Sequence, residues 1–212
     1  MVFGNPRHLP PNAGRRWRNN LAKSLCRFLP LLLATALAFP AGRSEAAPHK
    51  YHRSVESYKV PDVVLVNQDG KKVSLKALLE TDKPVVVDFI YATCTTICPV
   101  LSAGFASLQR RLGPDCGKLQ LVSITIDPEN DTPQVMKQYL ERYRAKPGWQ
   151  FLTGSRDDID DVMEAFNAYF PNKMTHLPLN FIRSSVDGKW IRLFGFMSSR
   201  DFLAECRKAG IK

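Results

Sequence analysis

The sequence predicts an α/β sandwich in which helices cover both faces of a central mixed β-sheet, with a β-hairpin extension at its N-terminal end. Two runs rich in β-branched and aromatic residues, 84–91 and 117–126, are typical of strands buried on both faces. The segment between them, Pro99 to Leu112, has apolar residues at helical spacing, which indicates a right-handed strand–helix–strand unit. A strand–turn–strand pattern over 177–196 predicts a closing antiparallel hairpin.

The remaining elements follow in chain order. A short hairpin is expected from Asp62 to Val73, and a small helix from Ser74 to Glu80 with Ser74 as N-cap. After the strand–helix–strand unit we expect a helix from Pro133 to Arg144 capped by Thr132, a strand at 149–153, a helix at 156–170 and a last helix at 201–208. Parallel strands followed by an antiparallel hairpin indicate a sandwich of the thioredoxin type.

Residues 1–47 have the order of a secretory signal peptide. A basic start is followed by 14 mostly apolar residues, 28–41, and then by small residues that predict cleavage near Ala46 or Ala47. The alternative is a short uncleaved anchor, although the apolar run is shorter than the roughly 20 residues of a membrane-spanning helix. Either interpretation predicts a location in the periplasm or at the extracytoplasmic face of the inner membrane, with membrane association only through an uncleaved leader. We expect a flexible segment at 48–57, carrying His49 and His52, and one domain at 58–212.

The charge distribution argues against a nucleic-acid partner. The chain carries a net charge of +10, but residues 1–47 hold seven basic residues against one acidic residue, so most of the excess lies in the leader. No basic stripe interleaved with aromatic residues follows it. The folded part therefore shows no pattern of nucleic-acid binding.

Two of the four cysteines that follow the leader occupy the turn between the first central strand and its helix. Pro99 suits the first helical position, which predicts Cys98 as N-cap and Cys94 in the loop before it. A helix N-terminus favours the thiolate, which is both a nucleophile and a soft-metal ligand. The pair therefore supports either redox chemistry or metal binding. Cys116 and Cys206 are not ligand candidates, and whether they form a structural disulfide is left open by the sequence.

His176 is the one histidine of the predicted domain, and it precedes the strand that begins near Leu177. In this fold the loop leading into that strand lies beside the first helix N-terminus, so we expect His176 near both thiols. Two thiolates and an imidazole suit Cu(I) and also zinc. Structural zinc normally takes four protein ligands, which makes copper the better match for three.

Asp127 and Asp131 follow the second central strand, near the same edge of the sheet. One interpretation gives these carboxylates a role in steering the site loop or docking a partner. The other assigns them to turn formation and to the N-terminus of the next helix, and it is favoured for Asp131. For Asp127 the two interpretations are equally supported.

The chain resembles the Sco (SenC) family of copper-binding, thioredoxin-fold proteins involved in cytochrome c oxidase assembly. The resemblance rests on the C-x-x-x-C-P motif at Cys94–Pro99, on residues 125–133, on residues 151–155 and on the later histidine. It implies that Cys94, Cys98 and His176 are copper ligands and that the two cysteines form a reversible, redox-active disulfide. One departure is Thr95, where many members have proline.

The resemblance also implies the function. We expect a copper metallochaperone of the cell envelope that carries Cu(I) or Cu(II). Its partners would be cytochrome c oxidase subunit II or another copper-accepting protein, together with envelope thiol reductants. The alternative is a thiol–disulfide oxidoreductase that uses Cys94 and Cys98 to reduce a partner. Such an enzyme has no need of His176, so the histidine favours the copper-binding function.

Overall fold

The computed structural model describes residues 51–211 of the 212-residue chain. Eight strands and five α-helices are present in this range, with 3₁₀ turns at Gly113–Lys118 and Lys173–Thr175. The strands are β1 (Tyr51–Glu56), β2 (Val64–Asn67), β3 (Lys72–Ser74), β4 (Val85–Ile90), β5 (Gln120–Thr125), β6 (Trp149–Thr153), β7 (Leu179–Arg183) and β8 (Trp190–Gly195). The helices are α1 (Leu75–Leu79), α2 (Cys98–Leu112), α3 (Pro133–Arg142), α4 (Arg156–Ala165) and α5 (Ser199–Lys208).

The strands form one mixed sheet in the order β1-β8-β7-β4-β5-β6-β2-β3. Strands β4, β5 and β6 are parallel, whereas β7 runs antiparallel to β4 and β8 antiparallel to β7. All six residues of β4 are buried, as expected of a strand covered on both faces. The predicted mixed-sheet α/β sandwich is confirmed, and its hairpin β2–β3 extends the same sheet beyond β6.

Aromatic contacts join the helices to the sheet. On α2, Phe105 packs edge-on against Trp149 of β6 and stacks on Phe202 of α5. The buried Tyr139 of α3 packs edge-on against Phe151 of β6. These large buried side chains contribute to the apolar area that stabilises the sandwich. The two contacts of Phe105 also hold α2, the helix that begins at Cys98, against β6 and α5.

The helix starts follow local sequence chemistry. The hydroxyls of Ser74 and Thr132 accept hydrogen bonds from the backbone N–H groups of Ala77 and Val135, so both predicted N-caps are confirmed. Helix α2 has no side-chain cap: its N-cap position is Ile97, and Cys98 is its first residue. The prediction of Cys98 as N-cap is therefore wrong by one residue, because Pro99 occupies the second helical position, which also tolerates its missing N–H.

Several expected boundaries differ from the structure by two residues or more. Strand β5 begins at Gln120 and not at residue 117, which lies in a 3₁₀ turn, strand β7 begins at Leu179 and not at residue 177, and helix α5 begins at Ser199 and not at residue 201. The expected flexible segment 48–57 contains strand β1, which pairs with β8 from Tyr51 to Glu56, so the ordered part begins well before residue 58. Helix α3 ends at Arg142 and not at Arg144, which has a positive φ of 53°. Helix α4 ends at Ala165, because Asn167 two residues later also has a positive φ, of 51°.

Cys116 and Cys206 are both free thiols, so the disulfide left open by the sequence is not formed. Residues 1–50, with the expected signal peptide, its cleavage site and His49, lie outside the described residues. Between residues 51 and 211, no helix is long and apolar enough to cross a membrane.

Candidate metal centre

The two site cysteines are held by the tight turn between β4 and α2. The backbone N–H of Cys94 donates to the carbonyl of Tyr91 at 3.2 Å, which folds the chain back just after β4. The backbone N–H of Cys98, at the start of α2, donates to the Cys94 sulfur at 3.4 Å. Both side chains are buried, Cys98 completely. The helix N-terminus therefore points one of its free N–H groups at the first thiol.

His176 reaches the same place from the loop that precedes β7. Its Nε2 lies 3.3 Å from Cys98 Sγ and 4.0 Å from Cys94 Sγ. The three donor atoms lie within 4.8 Å of one another, and all three residues are buried. The structure thus brings together the three residues that the sequence singled out.

The other nitrogen of His176 fixes the orientation and the tautomer of its ring. Nδ1 lies 2.7 Å from the carbonyl oxygen of Lys173. Because a carbonyl oxygen only accepts, Nδ1 carries the proton, and Nε2 presents its lone pair to the thiols. Burial lowers the pKa of His176, and the bond to the Lys173 carbonyl opposes this only in part. The imidazole is therefore neutral at neutral pH, as a metal ligand must be.

The two thiols differ in acidity. Burial raises the pKa of Cys94, but hydrogen bonds from the backbone N–H groups of Cys98 and Thr96 outweigh it and bring the pKa down to about 7. Burial raises the pKa of Cys98 well above its usual range, and the neighbouring Cys94 adds to the rise. The expectation that the helix N-terminus activates both thiols is thus wrong for Cys98, because its sulfur is fully buried.

Asp131 supports the cysteine turn and does not cap the next helix. Both of its oxygens accept from the backbone N–H of Ala92 at 3.2 Å, and Oδ2 also accepts from the Thr125 hydroxyl at 2.5 Å. The cap of α3 is Thr132 itself. The capping part of the interpretation favoured for Asp131 is therefore wrong, whereas its turn-forming part is confirmed, because the Asp131 backbone N–H donates to the Asp127 carbonyl at 3.0 Å. The Asp131 carboxylate holds the chain two residues before Cys94.

Asp127 combines both interpretations. Its carbonyl accepts from the backbone N–H groups of Asn130 and Asp131, which forms the turn after β5. Its carboxylate, almost fully buried, accepts from the Asn130 amide at 2.9 Å and from Lys173 Nζ at 2.5 Å. Through Lys173 it contacts the loop that carries His176.

Two residues around the site were missed from the sequence. Lys173 holds His176 through its carbonyl, and its ammonium lies 5.5 Å from the centre of the Tyr91 ring. Tyr91 in turn packs edge-on against the His176 ring at 5.2 Å. The signals were present: Tyr91 ends the first central strand, and Lys173 lies three residues before the histidine. Neither is a metal ligand or a nucleophile, so residue type alone does not mark them as part of the site.

The donor set fits a soft metal ion. Bonds of about 2.0–2.3 Å from one ion to thiolate and imidazole donors require those atoms to lie within roughly 4.6 Å of one another. The three donor atoms lie within 4.8 Å of one another, and His176 Nε2 lies 3.3 Å and 4.0 Å from the two sulfurs, so the spacing is close to that of a bound ion. The chemistry of two thiolates and one neutral imidazole suits Cu(I) and zinc more than hard cations such as Mg²⁺ or Ca²⁺.

A mixed, thioredoxin-like sheet that presents two thiols and an imidazole at the end of its central strand defines a class of thiol-based metal-binding or redox proteins. Within that class, residues 53–201 match the sequence model of SCO1/SenC. The chain therefore belongs to the SCO1/SenC family, and the resemblance seen in the sequence is confirmed.

Individual relatives agree with this assignment. The SCO1 protein homolog of Bacillus subtilis is 36% identical over 115 residues, which cover 53% of this chain and 58% of the relative. The chain thus spans about half the length of this relative; other curated relatives are covered over shares that range from 31% to 74% of their own length.

Two solved structures share the fold at similar identity. BsSco, described as a member of the Sco family of cytochrome c oxidase assembly proteins with a disulfide switch, is 29% identical with a TM-score of 0.61. That match covers 74% of this chain and 95% of BsSco. Bradyrhizobium japonicum ScoI with copper bound is 28% identical with a TM-score of 0.57, over 69% of this chain and 96% of ScoI.

Proposed function

We propose that this protein binds one copper ion through Cys94, Cys98 and His176 and serves as a copper metallochaperone in the assembly of cytochrome c oxidase. The observation that carries the proposal is the position of His176 Nε2, 3.3 Å and 4.0 Å from the two sulfurs and free to donate a lone pair. A protein that only exchanged disulfides would not need a neutral imidazole facing both thiols. Soft donors in this number favour copper over zinc.

The relatives support copper as the ion. The Bradyrhizobium ScoI structure contains copper, and BsSco belongs to a family of cytochrome c oxidase assembly proteins. We infer by extension that the acceptor is oxidase subunit II or another copper-accepting protein. Envelope thiol reductants would return Cys94 and Cys98 to the dithiol that binds the ion.

The location of this function is proposed from the sequence of the leader. Residues 1–47 have the pattern of an export signal, and copper transfer to an oxidase then takes place in the periplasm or at the outer face of the inner membrane. An uncleaved leader would tether the domain at the same place. In both cases the domain that follows carries the metal centre.

Copper binding by the reduced protein tests the proposal. We expect one copper per chain when Cys94 and Cys98 are thiols, with His49 and His52 replaced by alanine so that they cannot substitute. In that background His176→Ala should weaken binding by about 100-fold or more, since the loss of residues that only support a metal ligand already costs 10–100-fold. Cys116→Ser is the matched control for loss of a thiol and should bind as the parent does. Unchanged binding by His176→Ala would refute the three-ligand site.

A second candidate is a thiol–disulfide oxidoreductase. The Cys94 pKa of about 7 favours it, because a thiol of this acidity is partly thiolate at neutral pH. Cys94 would attack a partner disulfide and Cys98 would resolve the mixed disulfide; the partner gains two electrons and two protons as the Cys94–Cys98 bond forms. Reduction of a partner at an unchanged rate by His176→Ala, together with absent copper binding by the parent, would favour this candidate.

A further inference from the structure

The loop that carries His176 is exposed, and few of its side chains hold it to the rest of the protein. Between residues 171 and 177, only His176 is buried and Lys173 is half-buried; Met174 is 71% exposed, and its sulfur accepts a hydrogen bond from the Tyr91 hydroxyl at 3.5 Å. The loop contains one short 3₁₀ turn, Lys173–Thr175, and no longer regular element. The position of the imidazole therefore depends on a small number of contacts.

Lys173 makes two of those contacts from opposite ends of the residue. Its ammonium pairs with the carboxylate of Asp127 at 2.5 Å, and its carbonyl receives the Nδ1–H of His176 at 2.7 Å. Asp127 is itself fixed at the end of β5 by Asn130 and by the Thr125 hydroxyl, which accepts from its backbone N–H. The ion pair thus ties the histidine loop to the end of a central strand.

The surroundings shield this ion pair from water more than they would an ordinary surface pair. The Asp127 side chain is only 5% exposed and that of Lys173 is 37% exposed, in contrast with pairs in which both groups are largely solvated. The ammonium also lies over the Tyr91 ring, whose edge-on contact with His176 closes a small cluster around the imidazole. A charge pair that is partly shielded from water is less screened than an exposed one.

We propose that Lys173 is a positioning residue for the metal centre: its ion pair with Asp127 holds the carbonyl that fixes the Nδ1–H tautomer of His176 and aims Nε2 at the thiols. The inference rests on the proposed role of His176 as a ligand. Lys173 does not contact the ion itself and acts only through the histidine. Supporting partners of this kind, which orient a ligating imidazole, typically change metal affinity by 10–100-fold.

The variants that test this proposal are Lys173→Met, which keeps the length of the side chain without its charge, and Lys173→Arg, which retains the pair with Asp127. Lys137→Met is the matched control, because Lys137 forms an exposed pair with Asp69 at 3.5 Å on another part of the surface. All are prepared in the full chain without His49 and His52. Circular dichroism and thermal unfolding check that each variant folds, and Asp127→Asn provides a second way to break the same pair.

Two measurements are made on each variant. In the reduced, metal-free protein, nitrogen NMR of the imidazole reports the tautomer of His176. We expect Nδ1–H in the parent, in Lys173→Arg and in Lys137→Met, and a mixture of tautomers in Lys173→Met and Asp127→Asn. Copper affinity should fall about 10-fold or more in Lys173→Met and Asp127→Asn. It should stay unchanged in Lys173→Arg and Lys137→Met.

A double variant separates positioning from general electrostatics. In a His176→Ala background, Lys173→Met should cause no further loss of copper affinity, since Lys173 acts through the histidine. An equal loss with and without His176, or a single Nδ1–H tautomer in Lys173→Met, would overturn the proposal. A failure of the proposed function would give a different result, because His176→Ala would then bind copper like the parent. The tautomer of His176 in Lys173→Met would still show whether Lys173 positions the imidazole.

Discussion

The Nε2 atom of His176 lies 3.3 Å from the sulfur of Cys98, although 78 residues separate them in the chain. Strand β7 runs antiparallel to β4, so the loop that enters β7 meets the turn that leaves β4 at the same edge of the sheet. The turn bears both cysteines and the loop bears the histidine. The mixed topology of the sheet is therefore what assembles the centre.

The turn after β5 also holds both the cysteine turn and the histidine loop in place. Asp131 accepts from the N–H of Ala92 in the cysteine turn, and Asp127 pairs with Lys173 in the histidine loop. Since β5 lies directly beside β4, one short segment supports both halves of the centre. The acidic residues at 127 and 131 thus contribute to the geometry of the site without being ligands.

We predict that Cys94 is the most reactive of the described thiols. Its pKa of about 7 gives an alkylation rate that rises with pH to a plateau with a midpoint near pH 7. Cys98 should react far more slowly, because burial raises its pKa above the usual range, and burial also raises the pKa of Cys206, to about 12. Mass spectrometry after brief labelling of the reduced, metal-free protein measures each rate.

Cys206→Ser is the control, and it should leave the labelling of Cys94 unchanged. The opposite order, with Cys98 labelled first, would mean that the buried sulfur and not the outer one is the nucleophile. Equal rates at Cys94, Cys98 and Cys206 would remove the case for an activated thiol.

Oxidation should abolish copper binding. When Cys94 and Cys98 form a disulfide they lose two electrons and two protons, and no thiolate remains to donate to the ion. Copper titration of the oxidised protein, followed by reduction and a second titration, measures the effect. We expect no binding at the centre before reduction and one ion per chain after it. Binding of equal strength in both states would contradict the ligand set.

The order and type of the strands and α-helices from β2 onward could be predicted from the sequence because each carries a local signal. The buried β4 is a run of β-branched and aromatic residues, and Thr132 caps α3 through its own hydroxyl. The boundaries that were wrong depend on other information. Strand β1 forms because it pairs with β8, about 140 residues later, and Tyr51 and Arg53 bind Glu205 of α5. The local sequence of residues 51–56 does not indicate those partners.

In the candidate site, too, some features could be predicted from local sequence and others depend on the fold. Cys94, Cys98 and His176 could be selected from residue type and position, because few side chains in the domain are soft ligands. The unequal acidity of the two cysteines could not, since it depends on how deeply each sulfur is buried. The role of Lys173 could not be predicted either. Its backbone carbonyl contacts the histidine, and every residue has such a group.

We predict that the mature protein begins near Pro48. The apolar run at 28–41 followed by small residues favours cleavage after Ala46 or Ala47. N-terminal sequencing of the exported protein measures this directly. A leucine-to-arginine change in the middle of the apolar run, Leu33→Arg, should block export and leave the full chain in the cytoplasm. A mature chain that starts at Met1 and needs detergent for extraction would establish an uncleaved anchor.

Loss of the Asp131 carboxylate should destabilise the protein and loosen the cysteine turn. Asp131→Ala leaves the Ala92 N–H and the Thr125 hydroxyl without their buried acceptor, at a cost of about 1–3 kcal/mol for each group. Thr132→Ala, next in the chain, removes only a helix cap and should cost about 1 kcal/mol. Urea unfolding compares the two variants. Equal losses would show that Asp131 contributes no more than a cap.

The last prediction concerns a buried carboxyl beneath the site. Asp88 lies in the middle of β4 with no exposed surface, and neither of its oxygens has a hydrogen-bond partner among residues 51–211. Burial raises its pKa from 3.8 to about 7, against a smaller lowering effect of the neighbouring Ser123 hydroxyl. The folded state therefore holds a proton that the unfolded chain releases above about pH 4.

The sign of the pH dependence follows from this difference in proton binding. The pKa of Asp88 is higher in the folded protein than in the unfolded chain, so the free energy of unfolding falls as the pH rises from about 4 to about 7. The decrease is on the order of 4 kcal/mol. Asp88→Asn cannot ionise, so its free energy of unfolding should rise relative to the parent by a similar amount between pH 4 and pH 8. Urea unfolding of the reduced, metal-free proteins at several pH values measures the difference, with Asp115→Asn as the exposed control. A difference between Asp88→Asn and the parent that stays constant with pH would mean that Asp88 ionises normally in the folded protein, and that the interior beneath the centre is more polar than its packing indicates.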